Sequence, residues 1–311
     1  MKRVIVTGGT GFLGRNMIRH LCDQGYEVYA IIRPESKNRA CLPRHGHVWP
    51  IMCTLCDLMD NPELTGKSYD AFYHFAWEGV NRAQIDDEMV QRRSGEDSLK
   101  AVESALALKC GCFIFSGSRS EYGTPHEGFR EDADCHPLVA YGREKLAFGR
   151  RARALCRGTA TQYIHARIFS VYGVDDHPWS LIHTAVTKML KNEPMDLSPC
   201  TQRWNFMDVR DMADLLLTFQ RQRDRIPPED NHIFNVATDD IRPLREFVEE
   251  IYRITGSRSD LRFGAFHQAA ESAVSILPDM GKVERAFGWK QKIAFSEGIR
   301  NVMRAVENSE P

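Results

Sequence analysis

The chain has 311 residues, a formal charge of −1, and 42 % hydrophobic and 27 % charged residues. That balance suits a globular chain of one or two domains and excludes a disordered one, which needs lower hydrophobicity and a larger net charge. A pI near 6.8 offers no basic field to nucleic acid or an anionic membrane, and the run Val4-Ile5-Val6 is too short to span a bilayer and is cut off by Gly8 and Gly9 before a signal-peptide core could form.

Val4 to Thr7 is a short apolar strand. A glycine-rich turn follows, then a helix with Phe12, Leu13, Met17, Ile18 and Leu21 on one side. Strands are predicted over Glu27 to Ile32, His47 to Cys53, Asp70 to Ala76, Cys112 to Phe115 and Thr161 to Phe169. A long helix over about 88–109 turns Val102, Ala105 and Leu106 inward, and another runs over about 137–156. Strands alternating with helices predict an α/β fold with a parallel sheet covered on both faces. After Gly173 prolines punctuate short elements such as the helix Leu244 to Thr255, which reads as a smaller lobe interleaved with the end of the sheet. The expected division is 1–173 for the sheet domain, completed by about 207–240, with 174–206 and 241–311 forming a substrate-binding lobe. Nine scattered cysteines read as reduced thiols of the cytoplasm. Cys53-x-x-Cys56 lacks a second ligand pair, so no metal is expected.

Gly8, Gly11 and Gly14 lie between the first strand and first helix, with Thr10, Phe12 and Leu13 completing the turn. Glycines at this spacing allow a tight turn, the approach of a pyrophosphate to the backbone, and close helix–strand packing. The helix N-terminus adds free N–H groups and partial positive charge. Where an acidic residue would bind a ribose 2′-hydroxyl at the end of the second strand stands Arg33, with Ser36, Lys37 and Arg39 close behind. A cation there pairs with a 2′-phosphate, so NADP(H) is favoured, with NAD(H) as the alternative. Asp57 either accepts from an adenine amino group, with Leu58 packed on the ring, or caps a turn.

Tyr141 and Lys145 share a helix face. An ammonium and an oxidised nicotinamide both favour the phenolate, which lets a tyrosine exchange the alcohol proton while hydride moves at carbon. Ser118, in the loop after a strand, can hold the substrate oxygen against Tyr141.

With these segments, the chain resembles the extended short-chain dehydrogenases/reductases of the NAD(P)-dependent epimerase/dehydratase group. The resemblance rests on Gly8 to Gly14, Asp57-Leu58, His74-Phe75-Ala76, Ser118 to Gly123, Tyr141-x-x-x-Lys145, Arg167 to Gly173, Val209-Arg210-Asp211, Phe234-Asn235-Val236 and Gly288-Trp289. It implies a Rossmann-type doubly wound parallel sheet, a catalytic triad of Ser118, Tyr141 and Lys145, and a cofactor lined also by Phe75, Ala76, Ser116 and Ile168. It further implies a homodimer built on the two long helices. Trp77, Glu78, Ser120, Ser170 and Arg203 are the further candidates for substrate contact.

Departures from the group narrow the reaction. Sugar 4,6-dehydratases carry an Asp-Glu pair where this chain has Arg119 and Ser120, and enzymes that epimerise C3 and C5 have a cysteine at Ser120; both reactions are disfavoured. The stretches Arg167 to Ile182 and Thr201 to Val209 resemble the CDP-abequose synthase-like subgroup of sugar-nucleotide 4-ketoreductases. The leading expectation is reduction of the C4 ketone of a nucleoside-diphosphate 4-keto-6-deoxyhexose with Tyr141 as proton donor. A nucleotide-sugar 4-epimerase with bound NAD is the alternative, then a reductase of non-nucleotide carbonyls resembling dihydroflavonol reductases. A catalytically idle NADP sensor is the reading from another class. Two arginines that hold the diphosphate in many relatives are replaced, one at Trp204 beside Arg203 and one around His267-Gln268.

Overall fold

Seven parallel strands form the centre of the computed structural model, which describes residues 2–124, 128–227, 229–265 and 274–308. The first half alternates β1 (Arg3–Thr7), α1 (Phe12–Asp23), β2 (Glu27–Ile32), β3 (Val48–Met52), β4 (Ala71–His74), α2 (Glu88–Ala107), β5 (Cys112–Ser118), α3 (Ala140–Cys156) and β6 (Gln162–Ile168). The second half continues with β7 (Val171–Tyr172), α4 (Leu181–Leu190), β8 (Met195–Leu197), β9 (Arg203–Trp204), β10 (Met207–Asp208), α5 (Val209–Arg221) and β11 (Ile233–Val236). It ends with β12 (Arg242–Pro243), α6 (Leu244–Thr255), β13 (Leu261–Phe263), α7 (Gly281–Phe287) and α8 (Phe295–Glu307). The strand order is β11-β6-β5-β4-β1-β2-β3. It reverses between β1 and β4, so the crevice for a ligand opens beyond the C-terminal ends of those two strands.

Period-two alternation distributes the strand side chains between two cores. Val4 and Val6 face α1 and α5 with Ile18, Leu216 and Phe234. Ile5, Phe72 and Phe113 face α2 and α3 with Val102, Ala105 and Phe148. Pro50 lies in β3, an edge strand, where a missing N–H is tolerated. A third core joins α4, α6 and α8 through Val186, Phe247 and Phe295. Part of the C-terminal region does not join it. Phe287 packs 5.0 Å from Phe219 and 5.2 Å from Phe234, and Val283 and Trp289 share the α1/α5 core. The segment 281–289 thus belongs to the sheet layer, because its apolar side chains cover the β11 edge.

The start of α3 is fixed from far away in sequence. Val139, at its N-terminus, offers no side-chain cap. Instead the Ala140 N–H donates to Asp86 Oδ1 at 2.8 Å and the Tyr141 N–H to the Ile85 carbonyl at 3.0 Å. Asp86→Ala is expected to lower stability by about 1 kcal/mol, as the loss of a helix cap does, measured by urea denaturation.

Candidate active site

The glycine turn is built for close approach. Gly8 has φ +70°, and a Cβ there would lie 2.7 Å from the Ala76 nitrogen. At Gly14 a Cβ would lie 2.2 Å from the Gly8 carbonyl oxygen. The turn therefore rests directly on Phe75 and Ala76, which follow β4. At Gly11 no side chain caps α1, and its first turn holds no acidic residue. The leading N–H groups of the helix stay free to receive an anion. These features fit a dinucleotide pyrophosphate, which Gly8 to Gly14 would hold.

Other predicted cofactor residues fall out differently. Phe12 and Ile168 are almost wholly buried in the α1/α5 core, with Leu13 packed on it, so they shape the turn from below. Leu58 is fully buried among the α2/α3 core residues. Its side chain presents no face to an adenine ring, which corrects that expectation. Asp57 is exposed and accepts from Thr54 Oγ1 at 2.5 Å, closing a local turn. Arg33 is exposed at the end of β2 and paired with Glu78. Glu78, a candidate substrate contact, is thereby placed beside the end of β2.

Tyr141, Lys145 and Ser118 come together at the end of β5. The Tyr141 hydroxyl lies close enough to Ser118 for that side chain to draw its pKa down. Lys145 Nζ lies 5.2 Å from the Tyr141 ring centroid, 4.7 Å from that of Trp77 and 4.8 Å from that of Phe115. It donates to the Ser116 carbonyl, and the Ser116 hydroxyl donates to the His74 carbonyl at 3.0 Å. Trp77 stands edge-on to Tyr141, its indole N–H donating to Gln91 Oε1 at 2.8 Å. Gly142 lets the turn after Ser118 press against α3, because a Cβ there would lie 2.3 Å from the Ser120 carbonyl oxygen.

Burial dominates the electrostatics. It lifts the Tyr141 phenol to about 12, against the Ser118 hydrogen bond, and pushes the Lys145 ammonium down to about 7, against the charge of Glu121. Desolvation outweighs the lowering by Ser118 and Arg119, and Tyr141 stands protonated. His74 is held neutral by burial and by Lys145, down to about 3, with Nδ1 hydrogen-bonded to Thr7 Oγ1 at 2.8 Å.

Several supporting residues escaped sequence reasoning. Glu121 Oε1 accepts from the Ser118 N–H at 2.7 Å and contacts His165 Nε2 at 3.0 Å, while Oε2 accepts from Arg167 Nε at 3.1 Å. All three side chains are buried. Burial alone would raise the Glu121 carboxyl; His165 and Arg167 overcome it and hold it at about 2. The signal available was polar residues at alternate positions of a buried strand, His165 and Arg167. Among the predicted substrate contacts, Ser120 donates its N–H to Ser118 Oγ at 3.1 Å, and the Ser170 carbonyl accepts from Met207 N at 2.9 Å, extending the pairing of β7 with β10. Arg203 is turned to the Ile241 carbonyl. His267-Gln268 lies outside the described residues.

Compared with known proteins, residues 4–237 match the model of the NAD dependent epimerase/dehydratase family. The chain belongs to this family. It is an enzyme of the extended short-chain dehydrogenase/reductase type, with the Rossmann-type α/β sheet of that group. CDP-abequose synthase of Salmonella muenchen is 21 % identical over 313 residues, 98 % of each chain. A putative UDP-glucose 4-epimerase of Methanocaldococcus jannaschii is 23 % identical over 314 residues, covering 98 % of this chain and 99 % of its own. Among solved structures, UDP-glucose 4-epimerase of Thermotoga maritima superposes with a TM-score of 0.85 at 19 % identity, covering 99 % of both chains. MoeE5, solved with UDP-glucose and NAD, gives 0.82 at 25 % identity, with 99 % of both chains covered. In this family member no helix of the described residues is long and apolar enough to cross a membrane.

Proposed function

We propose that this enzyme reduces the C4 ketone of a nucleoside-diphosphate 4-keto-6-deoxyhexose with NADP(H), Tyr141 giving the proton. The observation that carries this reading is the protonated Tyr141 phenol, tied to Ser118 and backed by Lys145. A reductase needs an acid at that position, and burial keeps the phenol one. A bound nicotinamide dinucleotide would supply the hydride. Ser118 holds the ketone oxygen, Tyr141 hands its proton to that oxygen, and the ammonium of Lys145 favours the phenolate left behind. The nucleotide sugars named for the relatives support the substrate class. Arg33 would turn from Glu78 to a 2′-phosphate.

The second reading is a 4-epimerase that keeps NAD bound. Glu78 favours it, since a carboxylate beside Arg33 opposes a 2′-phosphate and suits a ribose hydroxyl. The test incubates the protein with NADPH, then NADH, and CDP-, dTDP-, GDP- and UDP-4-keto-6-deoxyhexoses while following absorbance at the reduced nicotinamide band. Consumption of NADPH is the expected result. No oxidation of either cofactor, with interconversion of UDP-hexose epimers, establishes the epimerase instead.

Part of the same proposal is a homodimer formed on α2 and α3, which pack together and leave Met89 at 83 % and Leu138 at 62 % exposure nearby. Sedimentation of the wild type as a monomer would overturn it. The free thiols fit a reducing cytoplasm. The lobe built on α4, α6 and α8, within 174–206 and the remainder of 241–311, would close over the sugar.

A further inference from the structure

We infer that Arg119, seated over Trp204, is an oxyanion-binding subsite of the substrate cleft, taking either the diphosphate of the substrate or a carboxylate on its sugar. This rests on the nucleotide-sugar reading above and deepens it. Arg119 directly follows Ser118. Its guanidinium carbon lies 5.6 Å from the centroid of the Trp204 ring on β9. The side chain therefore spans from the catalytic end of β5 to Trp204 on β9, next to the Ser118–Tyr141 site.

A half-buried cation in such a place needs a counter-charge. Arg15, Arg153, Arg210 and Arg242 are also half-buried, and each reaches a carboxylate or a carbonyl. Arg119 reaches neither among the described residues; its contact is the aromatic face of Trp204. Stacking of this kind orients a guanidinium while leaving its N–H fork available. Burial pulls its pKa below the ordinary arginine value, opposed by the Tyr141 hydroxyl, so the group is desolvated close to the catalytic phenol. Trp204 and the residue after it hold further polar atoms without a hydrogen-bond partner among the described residues: Trp204 Nε1 and both amide atoms of the fully buried Asn205. Arg203, the candidate substrate contact beside Trp204, is turned to the Ile241 carbonyl. A planar, always charged fork beside an indole N–H suits phosphate and carboxylate oxygens and offers nothing to a neutral hydroxymethyl group.

Calorimetry on the cofactor-saturated full-length protein tests this with two sets of probes. One is UDP, CDP, GDP and dTDP; the other is glucuronic acid 1-phosphate against glucose 1-phosphate. Arg119→Gln is expected to lose about tenfold or more in affinity through one lost charge-assisted contact. Arg119→Lys should retain part of it, because the charge survives without the fork. A loss for the nucleoside diphosphate that the wild type binds assigns the diphosphate. A loss confined to the preference for glucuronic acid 1-phosphate assigns the carboxylate. Affinities equal to wild type in both sets overturn the subsite. So does a uniform loss accompanied by a lowered melting temperature, which would make Arg119 a packing residue on Trp204. If the wild type binds none of the nucleoside diphosphates, the nucleotide-sugar reading itself falls, and the subsite with it.

Discussion

Tyr141→Phe should reduce turnover by about 10²–10⁴-fold while leaving the melting temperature and cofactor affinity near wild type. The ring remains to pack against Trp77, and only the proton donor is removed. Single-turnover rates on the best substrate of the 4-keto panel, with cofactor titrations alongside, measure both halves of the statement. Retained turnover would show that the proton comes from elsewhere and would unseat the assignment of Tyr141. The pH dependence follows from the same pair. Tyr141, at about 12, stays protonated through neutral pH, whereas Lys145 loses its proton near 7. The protonated amine favours the phenolate formed on proton donation, so the reductive rate should fall as pH rises through about 7. In Lys145→Met the rate should be low and that inflection absent.

Glu121→Ala should cost about 3–5 kcal/mol, the size expected when one member of a buried ionic cluster is removed. His165 and Arg167 would be left facing each other without their anion, and the Ser118 N–H without its acceptor. The cluster cannot relax into a larger space. A Cβ on Gly117 would lie 2.3 Å from His165 Nε2 and one on Gly149 2.4 Å from His165 Cε1, so the imidazole fills the space between β5 and α3. The acid limb of stability has a definite sign. The folded carboxyl sits at about 2, below its ordinary 4.5. Its contribution is complete above about 4.5 and is lost as pH falls toward 2. Urea unfolding of the wild type from pH 5 to pH 2.5 should lose stability across that window, and Glu121→Gln should show a shallower loss. Equal slopes would mean that other carboxylates govern the acid limb.

Much of the architecture was written in local pattern. Glu27 to Ile32 and Leu244 to Thr255 match the predicted spans residue for residue. This is because alternating or helical periodicity at those places coincides with burial. The glycine turn was equally legible, since Gly14 answers to Gly8 within the turn, although Gly8 itself rests on the distant Phe75 and Ala76. Relations between distant segments were not. Asp86 and Ile85 hold a helix that begins 54 residues after Asp86, and no spacing rule connects them. Arg33 and Glu78 were read separately, one for a phosphate and one for a sugar, and their pairing emerges only because β2 and β4 flank β1. Leu58 beside an exposed aspartate looked like a platform for a base, yet its depth depends on where Leu64 and Tyr69 return to the sheet. Arg119 was noticed as a missing carboxylate; its place over Trp204 required the smaller lobe to fold back.

The packing of 281–289 against β11 has a bearing on recombination. A specificity graft that exchanged everything after residue 206 for the tail of a relative would also remove β11 and α7. The relative's edge strand would then have to pair with the recipient's β6, and its aromatic group, the counterpart of Phe219, Phe234 and Phe287, to pack on the recipient's α1 core. A transplant of 174–206, 241–275 and 290–308 keeps the sheet's own wall in the recipient and moves the roof together with α8.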